Sequence, residues 1–320
     1  MTAFMTSVES VVEIILVIAL GFYLRKKNKF DEKFKTSISF LIMNIALPAS
    51  IFVSVLKYLT RDKLVSLSGG LLYALGSFAL GYLVAWLLTK ILRIRPGRRG
   101  TFINMFVNAN TIFIGLPLNL ALFGEKSMPY FLIYYVMNTV STWAVGVFFI
   151  SNDDPTKDKS HKEPFNWRKL LPAPLIGFLV ALVFLLLAIP VPAWINSTLS
   201  MVGGIVTPMS LIYIGIVLAD AGLASIHFDG DTIWALLGRF IIAPALMILM
   251  LVIGKSGGAQ VPSLESSTLI IQAAAPGLAA LPILAGQSHG DVEYATNVVT
   301  TSTVLFVIVM PILMQLVQFI

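Results

Sequence analysis

Apolar segments of roughly 18–25 residues alternate with short polar segments along nearly the whole chain. A helix of this length crosses about 30 Å of hydrocarbon, whereas the strands of a membrane β-barrel are shorter and alternate between apolar and polar positions. The pattern therefore predicts an all-α polytopic membrane protein with ten transmembrane helices. We place these helices at residues 8–25, 36–57, 65–92, 101–123, 128–150, 170–188, 194–220, 231–253, 265–287 and 293–318.

The composition agrees with a membrane protein and excludes several kinds of chemistry. Only 12% of the 320 residues are charged and the mean hydropathy is +0.88, whereas soluble domains contain about 25% charged residues. The chain has no cysteine, so disulfides, thiol catalysis and cysteine-ligated metals are excluded. Its three histidines are scattered and no zinc-ligand motif is present. We therefore expect neither an enzyme nor a cofactor.

Basic residues are distributed unevenly among the predicted loops. The loops after odd-numbered spans contain 16 Lys and Arg residues, and the loops after even-numbered spans contain five. Under the positive-inside rule the first set lies in the cytoplasm, so both termini of a ten-helix protein in the cytoplasmic membrane lie outside. This placement explains the net charge of +6 as a property of topology, and we expect no nucleic-acid partner.

The two halves of the chain resemble each other weakly on either side of a long loop at the midpoint. Three segments of the first half match segments of the second half at offsets between 160 and 165 residues. The matched pairs are "LPASIF" with "TPMSLI", "GLPLNLA" with "ALPILAG" and "VSTWAVGVFF" with "TSTVLFVIVM". Each half then contains five helices, and because five is odd, the second half enters the membrane in the opposite orientation. Inverted repeats of this kind are typical of secondary transporters, which bind substrate near the bilayer midplane.

The fourth and ninth spans hold corresponding places in the two halves, and both contain glycine and proline at mid-depth. Proline removes an intrahelical hydrogen bond, and unsatisfied backbone within a membrane persists only beside protein or water partners. We therefore predict helix breaks at Gly115 and Pro117 in the fourth span, and at Pro276 and Pro282 in the ninth. A lone kink is more often structural, but two matching breaks indicate a substrate site between them.

Polar side chains cluster in these two spans and in the span that follows each of them. Amides and hydroxyls can bind a carboxylate, an alkali cation or water, and helix N-termini directed at a gap favour an anion. Ser and Thr in membrane helices often bond only to backbone, and this alternative stays open for Thr300 to Thr303. The candidate substrate-binding residues are Asn108, Asn110, Thr111, Asn138, Ser141, Thr142, Gln272, Thr300, Thr301 and Ser302.

One basic residue, Arg239, lies inside a predicted span. A buried arginine is costly and needs a partner. It either interacts with the substrate or has a structural role, in which it pairs with Asp220 or extends to the membrane surface. We take both broken spans to be free of Asp and Glu, which argues against a cation/proton antiporter. Sodium coupling through neutral oxygens and proton coupling both stay open.

Three stretches of the sequence carry a family resemblance, namely "NTIFIGLPLNLALFG", "AAAPGLAALPILAGQ" with the polar helix ending in "MPIL", and "ALPASIF". They resemble the fourth helix, the ninth and tenth helices, and the second helix of the auxin efflux carrier family, and the likeness covers essentially the whole chain. That family includes plant auxin exporters and bacterial permeases for malate, malonate and similar acids. Because this chain lacks the long cytoplasmic loop of the plant exporters, the resemblance favours a microbial carboxylate carrier.

The resemblance implies a fold of two inverted five-helix repeats, shared distantly with bile-acid/sodium symporters. The implied domains are a scaffold at residues 1–60 and 170–222, a transport domain at residues 61–150 and 223–320, and a cytoplasmic loop at residues 151–169. The resemblance also implies that Asn110 contacts the substrate beside the crossing of the two broken helices. Pro117 and Pro282 would lie next to it, and Ser50 on the scaffold side of the cavity.

The sequence as a whole predicts a secondary active transporter in the cytoplasmic membrane. It would move a small organic anion, such as a mono- or dicarboxylate or an auxin-like acid, by alternating access. A sodium-coupled carrier similar to the bile-acid symporters and a ligand-binding membrane sensor are the alternatives. The expected partners are the anion, the lipid bilayer and, where transport is coupled, sodium or a proton. The sequence leaves the substrate, the direction of transport and a homodimer open.

Overall fold

The computed structural model describes residues 2–155, 173–222 and 226–317. Over these residues the chain is helical, apart from its connecting segments and one isolated β-bridge. The helices are α1 (Thr2–Lys26), α2 (Glu32–Tyr58), α3 (Arg61–Ile91), α4 (Arg99–Val107), α5 (Thr111–Phe123), α6 (Glu125–Asn152), α7 (Ala173–Leu187), α8 (Ala193–Asp220), α9 (Gly230–Ser256), α10 (Ser263–Ala273), α11 (Leu281–Gln287) and α12 (Val292–Val317).

Local sequence signals fix several helix ends. Asp31 and Asp229 precede α2 and α9. Their carboxylates accept hydrogen bonds from the amides of Phe34 and Thr232 at 2.7 and 2.8 Å, as N-capping residues do. Gly124 follows the last residue of α5 and has a φ of 69°. A positive φ has little energetic cost for glycine, so this residue can end the helix. These signals begin and end helices where apolar segments meet polar loops.

Several of the helices are long and apolar enough to cross a bilayer in one pass. Among the described residues these are Glu32–Tyr58, Gly69–Ile91, Glu125–Asn152, Ala193–Asp220 and Gly230–Ser256. α12 adds a sixth if its two parts, which are bent by 54°, form one span. The fourth and ninth predicted spans do not fit this description, because each is divided into two shorter helices. The chain is an all-helical, multi-pass membrane protein.

The helices pack in two groups. In the first group α1 packs on α8, and α2 packs on both α7 and α8; the second group contains α3, α4, α6 and α9 to α12. In the first group, Gly21 of α1 lies against the backbone of Ile212, and Gly215 of α8 lies against that of Ile18. Because small residues let membrane helices approach closely and gain dispersion contacts, these glycines explain how tightly α1 and α8 pack. α5 contacts both groups, since it packs on α8 and on α10.

The outer surface of the molecule is apolar. Leu72, Trp194 and Met201 are 67%, 71% and 79% exposed, and large contiguous apolar surface is unusual on a soluble protein. Such side chains are suited to contact with lipid. Among the largest buried side chains are Phe102 and Phe106 of α4, so the interior of the second group is built around a divided helix.

The break in the fourth span lies earlier than the sequence predicts. α4 ends at Val107 and α5 begins at Thr111. The chain therefore leaves the helix at Asn108–Asn110, and not at Gly115 and Pro117 as expected. Pro117 lies inside α5, directly after a π-helical turn that ends at Gly115. A π-helical turn shifts the hydrogen-bond pattern by one residue, so the missing N–H of the proline falls where the pattern changes.

The break in the ninth span contains Pro276. α10 ends at Ala273 and α11 begins at Leu281, so the chain is not helical at residues 274–280. Pro282 is the second residue of α11, a position at which a helix N–H has no intrahelical partner in any case. Of the two prolines predicted to break this span, only Pro276 lies in the break.

Candidate functional site

The two interruptions meet inside the protein. Ala109 and Gly277 form an antiparallel β-bridge, and the amide of Asn110 donates to the carbonyl oxygen of Pro276 at 2.8 Å. We call residues 108–110 and 274–280 together the junction. At the junction, backbone that has lost its helical hydrogen bonds finds partners in the other divided helix.

Side chains from the helices that follow complete the hydrogen bonding of the junction. Asn138 of α6 accepts a hydrogen bond from the amide of Ala109 at 2.8 Å and donates to the carbonyl of the same residue at 3.0 Å. The hydroxyl of Ser302 in α12 accepts from the amide of Gly277 at 3.2 Å. An unpaired backbone group in hydrocarbon costs several kcal/mol, so these two side chains make the interruptions tolerable.

Asn110 both caps a helix and presents free donors. Its Oδ1 accepts a hydrogen bond from the amide of Phe113 at 3.2 Å, which makes Asn110 the N-cap of α5. Because the N–H of Phe113 requires an acceptor, this bond fixes which end of the amide is the oxygen. Within the part of the chain that the structure describes, Nδ2 of Asn110 has no hydrogen-bond partner, and the residue lines a cavity.

This cavity has a volume of about 330 Å³. Its polar wall comes from the start of α5 and from α6, and its apolar lining includes three aromatic side chains. The lining residues are Met43, Ala109, Asn110, Thr111, Ile112, Phe113, Tyr135, Asn138, Thr139, Thr142, Trp143, Leu278, Ala279 and Ala280. A mainly apolar pocket with a few placed polar groups is the usual form of a small-molecule site.

The first turn of α5 borders the cavity, since Thr111, Ile112 and Phe113 all line it. The N-terminus of a helix carries a partial positive charge, which favours negative groups. No Asp, Glu, Lys or Arg is among the lining residues. The electrostatic character of this cavity therefore comes from backbone dipoles and from the amide and hydroxyl groups.

Two of the predicted site residues take part in a buried polar network outside the cavity. Asn108 accepts a hydrogen bond from Ser141 at 2.7 Å, and its Nδ2 donates to Asn104 at 2.8 Å and to Tyr82 at 3.0 Å. Ser141 is also 2.9 Å from the hydroxyl of Tyr82. The amide of Asn108 is thus fully used by protein partners, which places it in the support of the junction.

Gln272 also lies outside the residues that line the cavity. Its Nε2 donates to the carbonyl of Gly115 at 2.8 Å, so it connects α10 to α5.

Thr301 donates to Asn297 at 3.1 Å, and Thr300 is buried in α12. Ser50 does not line the cavity at the junction. It lines a second cavity of about 290 Å³, which lies farther along α2 than Met43, the residue of α2 that lines the first cavity. Of the predicted set, the cavity at the junction therefore brings together Asn110, Thr111, Asn138 and Thr142.

Arg239 is fully buried, and neither structural role that the sequence suggested for it is correct. It does not extend to the membrane surface, because its exposure is 0%. It does not pair with Asp220, whose carboxylate binds Arg25 at 2.5 Å and Lys35 at 2.9 Å. The guanidinium instead donates to backbone carbonyls beside the junction, at Phe106 and Ala273.

An acidic residue does occur in the ninth span. Glu265, in the first turn of α10, is buried beside Gly70 of α3, so the expectation that both broken spans lack Asp and Glu is wrong. It lies eight residues before Ala273, which corresponds to about 12 Å along a helix. The junction itself is therefore without a carboxylate among its described neighbours.

The aromatic residues of the cavity are not among the site residues that the sequence predicts. Tyr135 and Trp143 lie on the face of α6 that also carries Asn138 and Thr142. Residues separated by three or four positions share one face of a helix, so this periodicity, starting from Asn138, could have found them. Met43 and Phe113 carry no such signal, because they reach the cavity only through the packing of α2 and α5.

An all-helical multi-pass protein in which two interrupted helices meet beside a polar-lined cavity has the features of a membrane transporter. The chain belongs to the family described as membrane transport protein, which matches residues 6–314. This match confirms the resemblance to the auxin efflux carrier family. The family consists of transporters, which is the class of protein that the sequence predicts.

Two relatives agree with this assignment. The chain is 22% identical over 311 residues to an uncharacterized transporter of Methanothermobacter thermautotrophicus, with 96% of this chain and 97% of the relative covered. It is 22% identical over 302 residues to an uncharacterized transporter of Methanocaldococcus jannaschii, with 93% and 95% covered. The similarity therefore extends over nearly the full length of these transporters.

Proposed function

We propose that this protein is a secondary carrier that moves a small organic anion across the cytoplasmic membrane by alternating access. The observation that carries the proposal is the cavity at the junction, where the N-cap Asn110 has an unused amide donor pair. In this interpretation the chain crosses the membrane ten times as two inverted repeats with both termini outside, and α4–α5 and α10–α11 are its crossover helices.

The chemistry of the cavity supports a carboxylate as the group that is recognised. Nδ2 of Asn110 and the first turn of α5 offer hydrogen-bond donors and positive potential, and no lining side chain is anionic. The hydroxyl of Thr111 can add a further donor. The walls formed by Phe113, Tyr135 and Trp143 suit the apolar body of a small acid. A free cation would find no carboxylate there.

The arrangement of the two helix groups supports alternating access. The group of α1, α2, α7 and α8 would be the scaffold, and the remaining helices would form the moving domain. Phe113 of α5 stacks on Tyr213 of α8 at a ring distance of 4.5 Å, and Lys57 of α2 binds Glu125 of α6 at 2.7 Å. Both contacts join the two groups. We infer that they close one side of the junction while the cavity is open to the other.

The proposal is tested by replacing Asn110 and measuring exchange. Purified protein is first screened by thermal shift against malonate, malate and indole-3-acetate, each with and without sodium. Counterflow of the stabilising acid in radiolabelled form is then measured in proteoliposomes. We expect Asn110→Ala to lower the counterflow rate about 10- to 100-fold, because a hydrogen bond to a charged group contributes about 1.5–3 kcal/mol.

Two further variants separate recognition from helix capping. Asn110→Ser keeps an N-capping oxygen but removes the amide donors, and we expect it to lose counterflow as well. Asn44→Ala removes an exposed amide that bonds only within α2, to Phe40 at 3.1 Å, and should transport normally. Wild-type counterflow by Asn110→Ser, or no response to any of the three acids, would reject the proposal. Binding without counterflow would indicate a sensor.

A further inference from the structure

Arg239 is a buried cation without a carboxylate partner in the described part of the chain. Its side chain is completely inaccessible, and no ion pair among the described residues involves it. One guanidinium nitrogen, Nη1, donates to the carbonyl of Phe106 at 3.3 Å, and Nη2 donates to that of Ala273. The side chain of Tyr134 is a further polar neighbour. A buried arginine is costly enough that its partners must compensate for its charge.

The two carbonyls occupy equivalent places in the two divided helices. Phe106 is in the last turn of α4, and Ala273 is the last residue of α10. Carbonyl groups in the last turn of a helix have no intrahelical partner, and the end of the helix carries about half a negative charge. Two such ends together offset about one positive charge. The guanidinium is thus compensated by the ends of the two half-helices.

The local fold of α9 directs Arg239 to this position. Residues Gly238–Ile242 form a π-helical turn, a feature that is frequent at functional sites. Gly238 packs directly on the ring of Phe106, where a β-carbon would overlap it. Because Gly238 has no side chain, α9 can approach α4 closely enough for Arg239 to reach both carbonyls.

We propose that Arg239 is a positioning residue that joins the C-terminal ends of α4 and α10 and so holds the junction together. Its rigid, forked guanidinium can bond two carbonyls at once, which the single ammonium of a lysine does less well. By offsetting the negative ends of both helices, it also leaves the N-terminal end of α5 to set the sign of the potential in the cavity. The inference concerns the site of the proposed function, but its test requires no substrate.

The test measures how firmly α5 and α11 are held relative to each other. The chain contains no cysteine, so spin labels can be attached at introduced cysteines, Ala121→Cys in α5 and Ile283→Cys in α11, both exposed positions. Pulsed dipolar spectroscopy then gives the distribution of distances between them. We expect a narrow distribution in the wild-type background, a clearly broader one with Arg239→Met, and an intermediate one with Arg239→Lys.

A second pair of labels serves as the control. Leu20→Cys in α1 and Met201→Cys in α8 are exposed positions in the helix group that does not contain the junction, and their distance distribution should not change. Equal widths at the junction in all backgrounds would overturn the proposal, even if the variants melt at lower temperature. Equal broadening of the distance distributions of both label pairs would overturn the proposal too, because it would indicate that the packing of the whole protein has loosened. If the Arg239→Met variant does not insert into the membrane, the distance distributions of Arg239→Lys and of the wild-type background are compared instead, and equal widths would overturn the proposal.

Discussion

Two glycines near the junction provide the space that amide side chains occupy. Gly115 lies against the side chain of Gln272, which donates to its carbonyl at 2.8 Å. Gly146 lies against Asn104, which donates to the carbonyl of Gly146 at the same distance. In both places a β-carbon would overlap the amide. These glycines are therefore required by the close approach of a polar side chain and not by an unusual backbone conformation.

We predict that Gly146→Ala destabilises the protein by about 1–3 kcal/mol, the usual cost of overpacking a tight interior. The new methyl group would overlap Oδ1 of Asn104 and press on Asn108, and so disturb the network that supports the junction. The measurement is the melting temperature of the purified protein. Gly69→Ala is the matched control, because its nearest neighbour would be at an ordinary 3.6 Å; an equal loss in both variants would contradict the prediction.

At the scale of the element, the interrupted helices depend on groups from other helices. α4 and α5 are joined by three residues, Asn108–Asn110, that are buried and non-helical. The amide of Ala109 bonds to Asn138 and that of Asn110 to Pro276. Since every backbone N–H in the interior needs a partner, α6 and α10 determine whether this interruption can exist.

We predict that Asn138→Ala costs about 1–3 kcal/mol, because it leaves the buried amide of Ala109 without a partner. The carbonyl of Ala109 retains the amide of Thr111 at 3.0 Å, so the loss falls mainly on the N–H. Hydrogen-exchange mass spectrometry should show faster exchange in the peptide that contains Ala109, with no change in α1. Asn44→Ala, which removes an exposed amide, is the control, and unchanged exchange at Ala109 would contradict the prediction.

At the scale of the whole molecule, a charged cluster joins the N-terminal ends of three helices. Arg98, just before α4, binds Asp291 and Asp229 at 2.6 Å each and Asp231 at 3.3 Å. Its guanidinium also lies 4.7 Å from the ring centre of Tyr294. The cluster connects α4, α9 and α12, which come from opposite halves of the sequence.

This cluster predicts a pH dependence of stability. Burial disfavours the charged form of Asp229, but hydrogen bonds from Thr232 and Arg98 outweigh burial and hold its pKa below the ordinary value. A carboxyl with a lowered pKa stabilises the fold above its unfolded pKa, near about 4, and this stabilisation is lost as the pH falls through the folded value.

We expect Arg98→Gln to lower the stability at pH 7 by about 1 kcal/mol or less, since Asp229 is partly exposed and its ion pair is screened by water. The difference from wild type should shrink as the pH falls below about 4, and it should vanish below the lowered folded pKa of Asp229, where the carboxyl is protonated in both states. Melting temperatures of both proteins from pH 7 to pH 3 check this. A difference that stays constant over that range would show that the carboxylates are not what Arg98 stabilises.

The sequence led correctly to the interruption of the fourth and ninth predicted spans, but not to all of its details. Because of Pro117 the break is predicted at Gly115–Pro117, whereas the helix ends at Val107. The reason is that a proline within the first turns of a helix, or next to a π-helical turn, costs little. The polar run from Asn108 to Thr111 marks the interruption better, because amides and hydroxyls replace the missing backbone partners.

The membrane class, the helical segments, the family and the place of Asn110 and Thr111 in the cavity could all be read from the amino-acid sequence. These follow from the length of apolar segments and from local chemistry, both of which can be read along the chain. The packing of distant segments was needed to show that Asn108 and Gln272 support the junction while Asn110 faces the cavity, and that Arg239 bonds to the ends of two helices. These outcomes depend on which backbone groups are left without partners when distant segments pack together, and no local pattern records that.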